Sequence, residues 1–119
     1  MNKILPVILK GWGSELWIAN DENYCGKLLT INPGKMMSYH YHDIKTETFY
    51  VQSGKIMLTY GFSDDIDKAN QIALCPGDSF DVPVGMRHRL CNVGDGNAEI
   101  FEFSTHHFED DSYRIIKGD

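Results

Sequence analysis

Apolar residues in this chain come in runs of strand length, and a turn signal separates almost every run from the next. The runs are Glu15-Leu-Trp-Ile18, Lys27-Leu-Leu-Thr-Ile31, Thr48-Phe-Tyr-Val51, Lys55-Ile-Met-Leu-Thr-Tyr60, Gln71-Ile-Ala-Leu74, Ser79-Phe-Asp-Val82 and Ala98-Glu-Ile-Phe-Glu-Phe103. They are rich in β-branched and aromatic side chains, and none continues into the period of an amphipathic helix. Between them stand Asn32-Pro-Gly34, Ser53-Gly54, Pro76-Gly-Asp78, Val84-Gly85 and Gly94-Asp-Gly-Asn97. Glycine permits positive φ and proline presets a negative one, so each cluster is a turn with a mechanism. Short strands spaced this way predict an all-β barrel or sandwich. Alternation puts Phe49 with Val51 and Phe101 with Phe103 on common faces, and all four are expected in the core. Asp64 to Asn70 reads as a loop or a single helical turn. The charged tail, Glu109-Asp-Asp-Ser-Tyr-Arg114, reads as a wrap across the sheet or a short helical turn.

With 119 residues the chain is expected to form one domain over 1–119, with residues 1–20 as an N-terminal packing or exchange segment and 105–119 as a C-terminal tail. Seventeen acidic against eleven basic residues give a formal net charge of -6. Nucleic-acid binding draws on positive charge to release phosphate counterions, so no nucleic-acid partner is expected. No apolar run approaches the ~20 residues of a membrane helix, so no membrane partner is expected either. The opening Met1-Asn-Lys-Ile-Leu-Pro6 lacks signal-peptide features, and three unpaired-looking cysteines, Cys25, Cys75 and Cys91, suit a reducing compartment. A cytoplasmic protein is therefore expected.

Chemistry concentrates in His40-Tyr-His-Asp-Ile-Lys-Thr-Glu47 and in His88, which follows Pro83-Val-Gly85. On an extended strand His40 and His42 point to one face, whereas a helix would turn them roughly 200° apart. Three imidazoles and a carboxylate make a plausible metal site. Strict alternation, however, would send Glu47 to the opposite face, so Asp43-Ile-Lys-Thr46 has to contain a turn that brings the carboxylate round.

Spacing then carries a resemblance. Gly34 is followed by five residues and His40-Tyr-His42, four more lead to Glu47, and six more to Gly54. Gly77 is followed by five residues and Pro83-Val-Gly85, two more lead to His88, and three more to Asn92. Both patterns resemble the two motifs of the cupins at every fixed position, across residues 26–104. The resemblance implies a cupin-type double-stranded β-helix, or jelly-roll barrel, with His40, His42, Glu47 and His88 as metal ligands. Gly11-Trp-Gly-Ser-Glu15, the segment Lys27-Leu-Leu-Thr-Ile-Asn-Pro-Gly34 and the close Phe108-Glu-Asp-Asp-Ser-Tyr-Arg114 are further similar to the cupin domain of type II mannose-6-phosphate isomerases.

That narrower likeness implies an aldose–ketose isomerase acting on a sugar or sugar phosphate, with one divalent transition metal per chain. Zn, Fe, Mn, Ni and Co all suit the ligand set. Isomerisation also needs a base. Glu47, Lys35, Tyr50 and His106 are the catalytic candidates, with Tyr39, Lys27 and Glu102 also bearing suitable groups. Lys27 and Arg114 are the expected substrate contacts, Lys27 because it shares a strand face with Leu29 and Ile31. The expected partner is a small carbohydrate, and the expected assembly a homodimer. Two other functions fit the same motifs: a non-enzymatic, metal-dependent carbohydrate-binding cupin, and an iron-dependent small-molecule dioxygenase.

Overall fold

The computed structural model describes residues Met1–Asp119, and its architecture is two facing antiparallel sheets. Eleven strands build them: β1 (Val7–Lys10), β2 (Gly13–Asn20), β3 (Cys25–Ile31), β4 (Tyr39–Tyr41), β5 (Glu47–Ser53), β6 (Ile56–Gly61), β7 (Asn70–Leu74), β8 (Ser79–Val82), β9 (Arg87–Asn92), β10 (Ala98–Ser104) and β11 (Tyr113–Ile116). One sheet has the order β1-β2-β3-β10-β5-β8 and the other β11-β4-β9-β6-β7. This is the jelly-roll barrel that the resemblance implies, one of the two all-β forms that the turn spacing allows. No helix is long and apolar enough to cross a membrane.

The inward rows of this barrel change character along its axis. On β3, β10 and β5 the registers align Leu29, Ile100 and Val51 in one layer, and Lys27, Glu102 and Phe49 in the next. On β9 the inward row runs Asn92, Leu90, His88. Leu29, Ile31, Val51, Ile56, Leu58, Ala98 and Ile100 are sealed from solvent and form the apolar end. Lys27, Glu47, His88 and Glu102 are equally buried at the other end. Alternation thus fills one end of the barrel with hydrocarbon and the other with ionisable groups, and that division positions the site.

Asn92 closes the apolar end. Its amide donates to the carbonyls of Ile31 (2.9 Å) and Gly96 (2.8 Å) and accepts from the Gly94 N–H (2.9 Å). Gly54 turns β5 into β6 at φ 88°, and a Cβ there would stand 2.7 Å from Ala98. Gly54→Ala is expected to cost about 2–4 kcal/mol, summing a left-handed non-glycine residue and overpacking. Denaturant unfolding checks this, and a loss below about 1 kcal/mol would show that the turn adapts.

The strand expectations need four additions and one reversal. β1, β4, β9 and β11 have no apolar alternation to announce them: β4 and β9 bury histidines, and β1 is largely exposed. The tail is strand β11, with Tyr113 and Arg114 opposite Tyr41 and His40, rather than a helical turn. Within 64–70 lies a 3-10 turn, Ile66–Lys68. Phe49 and Val51 are core residues, but Phe101 and Phe103 are on the outer face, Phe103 exposed and Phe101 half-buried. The parity of β10 is set by Ala98 and Ile100, which brings Glu102 inside with them. An ion pair that accepts Glu102 in the interior makes this the favourable choice.

Candidate metal centre

His40 lies on β4, His42 just beyond it, Glu47 opens β5, and His88 sits on β9 directly opposite His40. One ligand atom from each of the three imidazoles falls within 4.8 Å of the others, a grouping able to hold a metal ion. Glu47 Oε1 reaches the same point, 2.8 Å from His88 Nε2 and 3.8 Å from His42 Nε2.

The outer nitrogens fix the tautomers. Nδ1 of His40 faces the Ser38 carbonyl (2.9 Å), Nδ1 of His42 the Asp111 carbonyl (2.6 Å) and Nδ1 of His88 the Met86 carbonyl (2.9 Å). A carbonyl can only accept, so each Nδ1 carries the proton and each Nε2 is left with a lone pair. His88 Nε2 and Glu47 Oε1, although close, are not aligned as a hydrogen bond, and both are buried polar atoms without a partner. Two orphaned atoms of this kind are costly unless something bridges them. A divalent cation fits the gap and the donor set. Burial pushes the His40 and His42 imidazoles below their ordinary range, whereas at His88 the Glu47 carboxylate outweighs burial and raises it. Burial opposes charge on Glu47 as well, but a protonated His88 and the Lys45 ammonium outweigh it and hold the carboxylate ionised, and a divalent ion would supply that positive charge beside neutral imidazoles.

The turn required between His42 and Glu47 exists. Residues 43–46 leave the ladder, and the backbone N–H groups of Asp43, Ile44 and Lys45 converge on the buried Asp111 carboxylate. The second motif docks on the first, since the Gly85 N–H donates to the His42 carbonyl (2.8 Å).

His40, His42 and Glu47 open into a cavity of about 670 Å³ whose 23 lining residues include only 6 hydrophobic ones. Lys45 dominates its wall. The ammonium, 3% exposed, meets Glu102 Oε2 and His107 Nδ1 at 3.1 Å and Glu47 Oε2 at 3.3 Å, which matches its three donors. Burial disfavours the ammonium, but Glu102 and Glu47 together raise its pKa. Glu102 is pushed up by burial and by the Glu47 charge, more than Lys45 and Lys27 pull it down. His107 is lowered to about 3 by burial and by the two lysines, so it is neutral. Lys27 faces this interior rather than water, with its Nζ 4.4 Å from the Trp17 ring centroid and 3.7 Å from Glu15. Arg114 lines the mouth.

Three expected catalytic groups stand elsewhere. Lys35 is exposed in the Asn32–Lys35 turn, where its N–H bonds the Asn32 carbonyl. Tyr50 is on the outer face, because the inward parity of β5 belongs to Glu47, Phe49 and Val51. His106 packs edge-on against Phe108 and bonds the Asp21 carbonyl, leaving its neighbour His107 to enter the cavity. Tyr39 is buried, with its hydroxyl donated to Ser63. Sequence reasoning missed Lys45 and Asp111; it named Glu102 among the possible bases, and of the adjacent pair His106-His107, placed near the barrel mouth, it carried His106 forward as the catalytic candidate.

The chain matches the cupin domain family over residues 27–104. It is 28% identical over 117 residues to a mannose-1-phosphate guanylyltransferase of Sinorhizobium fredii, covering 97% of this chain and 22% of that protein. It is 32% identical over 110 residues to the oxalate decarboxylase OxdC of Bacillus subtilis, covering 87% of this chain and 27% of that one. The chain therefore spans about a quarter of the length of these relatives. Among solved structures, the capsular polysaccharide assembling protein CapF of Staphylococcus aureus superposes with a TM-score of 0.83, at 23% identity over 95% of this chain and 34% of CapF.

Proposed function

For a chain that belongs to the cupin domain family, with this centre opening into a polar cavity, we propose a metal-dependent aldose–ketose isomerase acting on a sugar or sugar phosphate. The observation that carries the reading is the pair Glu102 and His107, proton-handling groups set in the cavity that His40, His42 and Glu47 share. His40, His42, Glu47 and His88 would hold the ion, and the chemistry a divalent ion supplies there is polarisation of a carbonyl oxygen and stabilisation of the charge it gains.

The remaining steps fall to side chains. Glu47 faces the ion site and is not free to act as base. Glu102, raised toward the range where a carboxyl both takes and returns a proton, removes the proton from C2 of the aldose and returns it to C1. The O2 hydroxyl proton passes to O1, and the carbonyl moves to C2. Lys45 holds Glu102 in place. Because Lys45 donates to His107 Nδ1, His107 presents Nε2–H as a donor to substrate oxygen. Lys27 and Arg114 supply positive charge for a phosphate. The exposed apolar residues Ile4, Val7 and Leu9 support the expected homodimer.

The test is solvent deuterium incorporation at C1 and C2 of aldoses, ketoses and their phosphates, with protein loaded in turn with Zn, Mn, Fe, Co or Ni. Exchange and interconversion are expected, and Glu102→Gln is expected to lower kcat by about 100- to 10,000-fold with metal content unchanged. Sugar binding without exchange would favour the carbohydrate-binding function instead, and substrate-dependent oxygen uptake the dioxygenase.

A further inference from the structure

We propose that Asp111, in the C-terminal tail, is a positioning residue for the metal centre, setting both the spacing between two ligands and the tautomer of one. This rests on the metal reading given above. Asp111 is 2% exposed, and its carboxylate holds three successive backbone donors: Asp43 N–H at 2.9 Å, Ile44 N–H at 3.1 Å and Lys45 N–H at 2.9 Å. Those three residues are most of the link between His42 and Glu47. Without that grip, three N–H groups at a buried turn lose their acceptor, and the link that sets the separation of His42 and Glu47 loses its hold.

The main chain of the same residue does a second job. The Asp111 carbonyl accepts the His42 Nδ1 proton at 2.6 Å, which fixes the imidazole with Nε2 toward the centre. Beyond it, β11 continues along β4, with Arg114 opposite His40. The tail therefore holds the turn and a ligand through Asp111, and the ligand-bearing strand through β11. The segment Glu109-Asp-Asp-Ser-Tyr-Arg114 acquires a physical purpose in its third residue: Asp110, its neighbour, is exposed and takes no part.

Calorimetric titration of the full chain with Zn²⁺, and the visible spectrum of Co²⁺-loaded protein, test the idea. Asp111→Ala is expected to weaken Zn²⁺ binding about 10- to 100-fold and to alter the Co²⁺ bands, with far-UV circular dichroism of the metal-free protein retained. Asp111→Asn keeps one acceptor oxygen and is expected to lose less. Zinc affinity within twofold of wild type in a folded Asp111→Ala protein would overturn the inference, because a purely structural residue would change only metal-free stability. Should the variants fail to fold, hydrogen exchange on the wild-type chain decides: Zn²⁺ is expected to slow exchange at Asp43, Ile44 and Lys45 by about 5- to 150-fold, and unchanged exchange overturns the proposal. A wild-type chain that binds neither Zn²⁺ nor Co²⁺ overturns the metal reading itself.

Discussion

Substituting His88 with alanine is expected to weaken metal binding severely, and any turnover with it, while the barrel still folds. His88 is the ligand that joins the two motifs: it lies opposite His40, and its Nε2 is 2.8 Å from Glu47 Oε1. Without it, His40, His42 and Glu47 remain, three donors where the intact centre offers four, and the ion loses the one ligand supplied by the second motif. Affinity should fall by on the order of 1,000-fold, beyond the ~100-fold typical of outer partners. The fold should survive for two reasons. Lys45 still neutralises Glu47 at 3.3 Å, and a truncated buried side chain typically costs only a few kcal/mol. Metal content by elemental analysis, beside circular dichroism of the same sample, checks both halves. A folded His88→Ala protein retaining full zinc stoichiometry and affinity would exclude this centre.

Lys45→Met should have the largest effect on stability. Lys45 is a single ammonium between two buried carboxylates, and Glu47 and Glu102 have few alternatives once it is gone. Breaking a buried pair by removing one partner costs about 3–5 kcal/mol, because the partner's charge stays uncompensated. In a chain of this size that corresponds to a Tm lower by on the order of 10–20 °C in the metal-free protein. The second half of the prediction identifies the cause. Lys45→Met combined with Glu102→Gln removes one of the stranded charges and is expected to recover a large part of the loss, a coupling that packing alone would not produce. Equal Tm values for the single and double variants would mean that methionine misfits the cavity and that charge plays little part.

The division between the two ends of the barrel also explains how far the sequence could be read. Phe49 and Val51 are assigned correctly because alternation is a local property: a residue's face follows from its neighbours two positions away. The same rule places Phe101 and Phe103 inside only if nothing more favourable competes for the interior. Glu102 competes successfully because Lys45, 57 residues earlier, offers an ion pair that no local pattern records. His106 and His107 differ for a similar reason: adjacent residues face opposite ways, and only the position of Lys45 and Asp21 decides which imidazole enters the cavity.

From the sequence alone come the all-β architecture, the turn positions, and the two spacings that assemble His40, His42, Glu47 and His88. The first two depend on the strand period of two and on the φ preferences of glycine and proline, which are properties of a few consecutive residues, while the full ligand set comes from the resemblance of the two spacings to the cupin motifs. Tertiary structure decided how Glu47 reaches the histidines, which groups line the cavity, and what holds the site together. Those outcomes depend on Lys45, Glu102, His107 and Asp111 meeting across the barrel. Asp111 grips the turn at Asp43–Lys45 from 66 to 68 residues away, and a contact at that separation exists only once the sheets have closed.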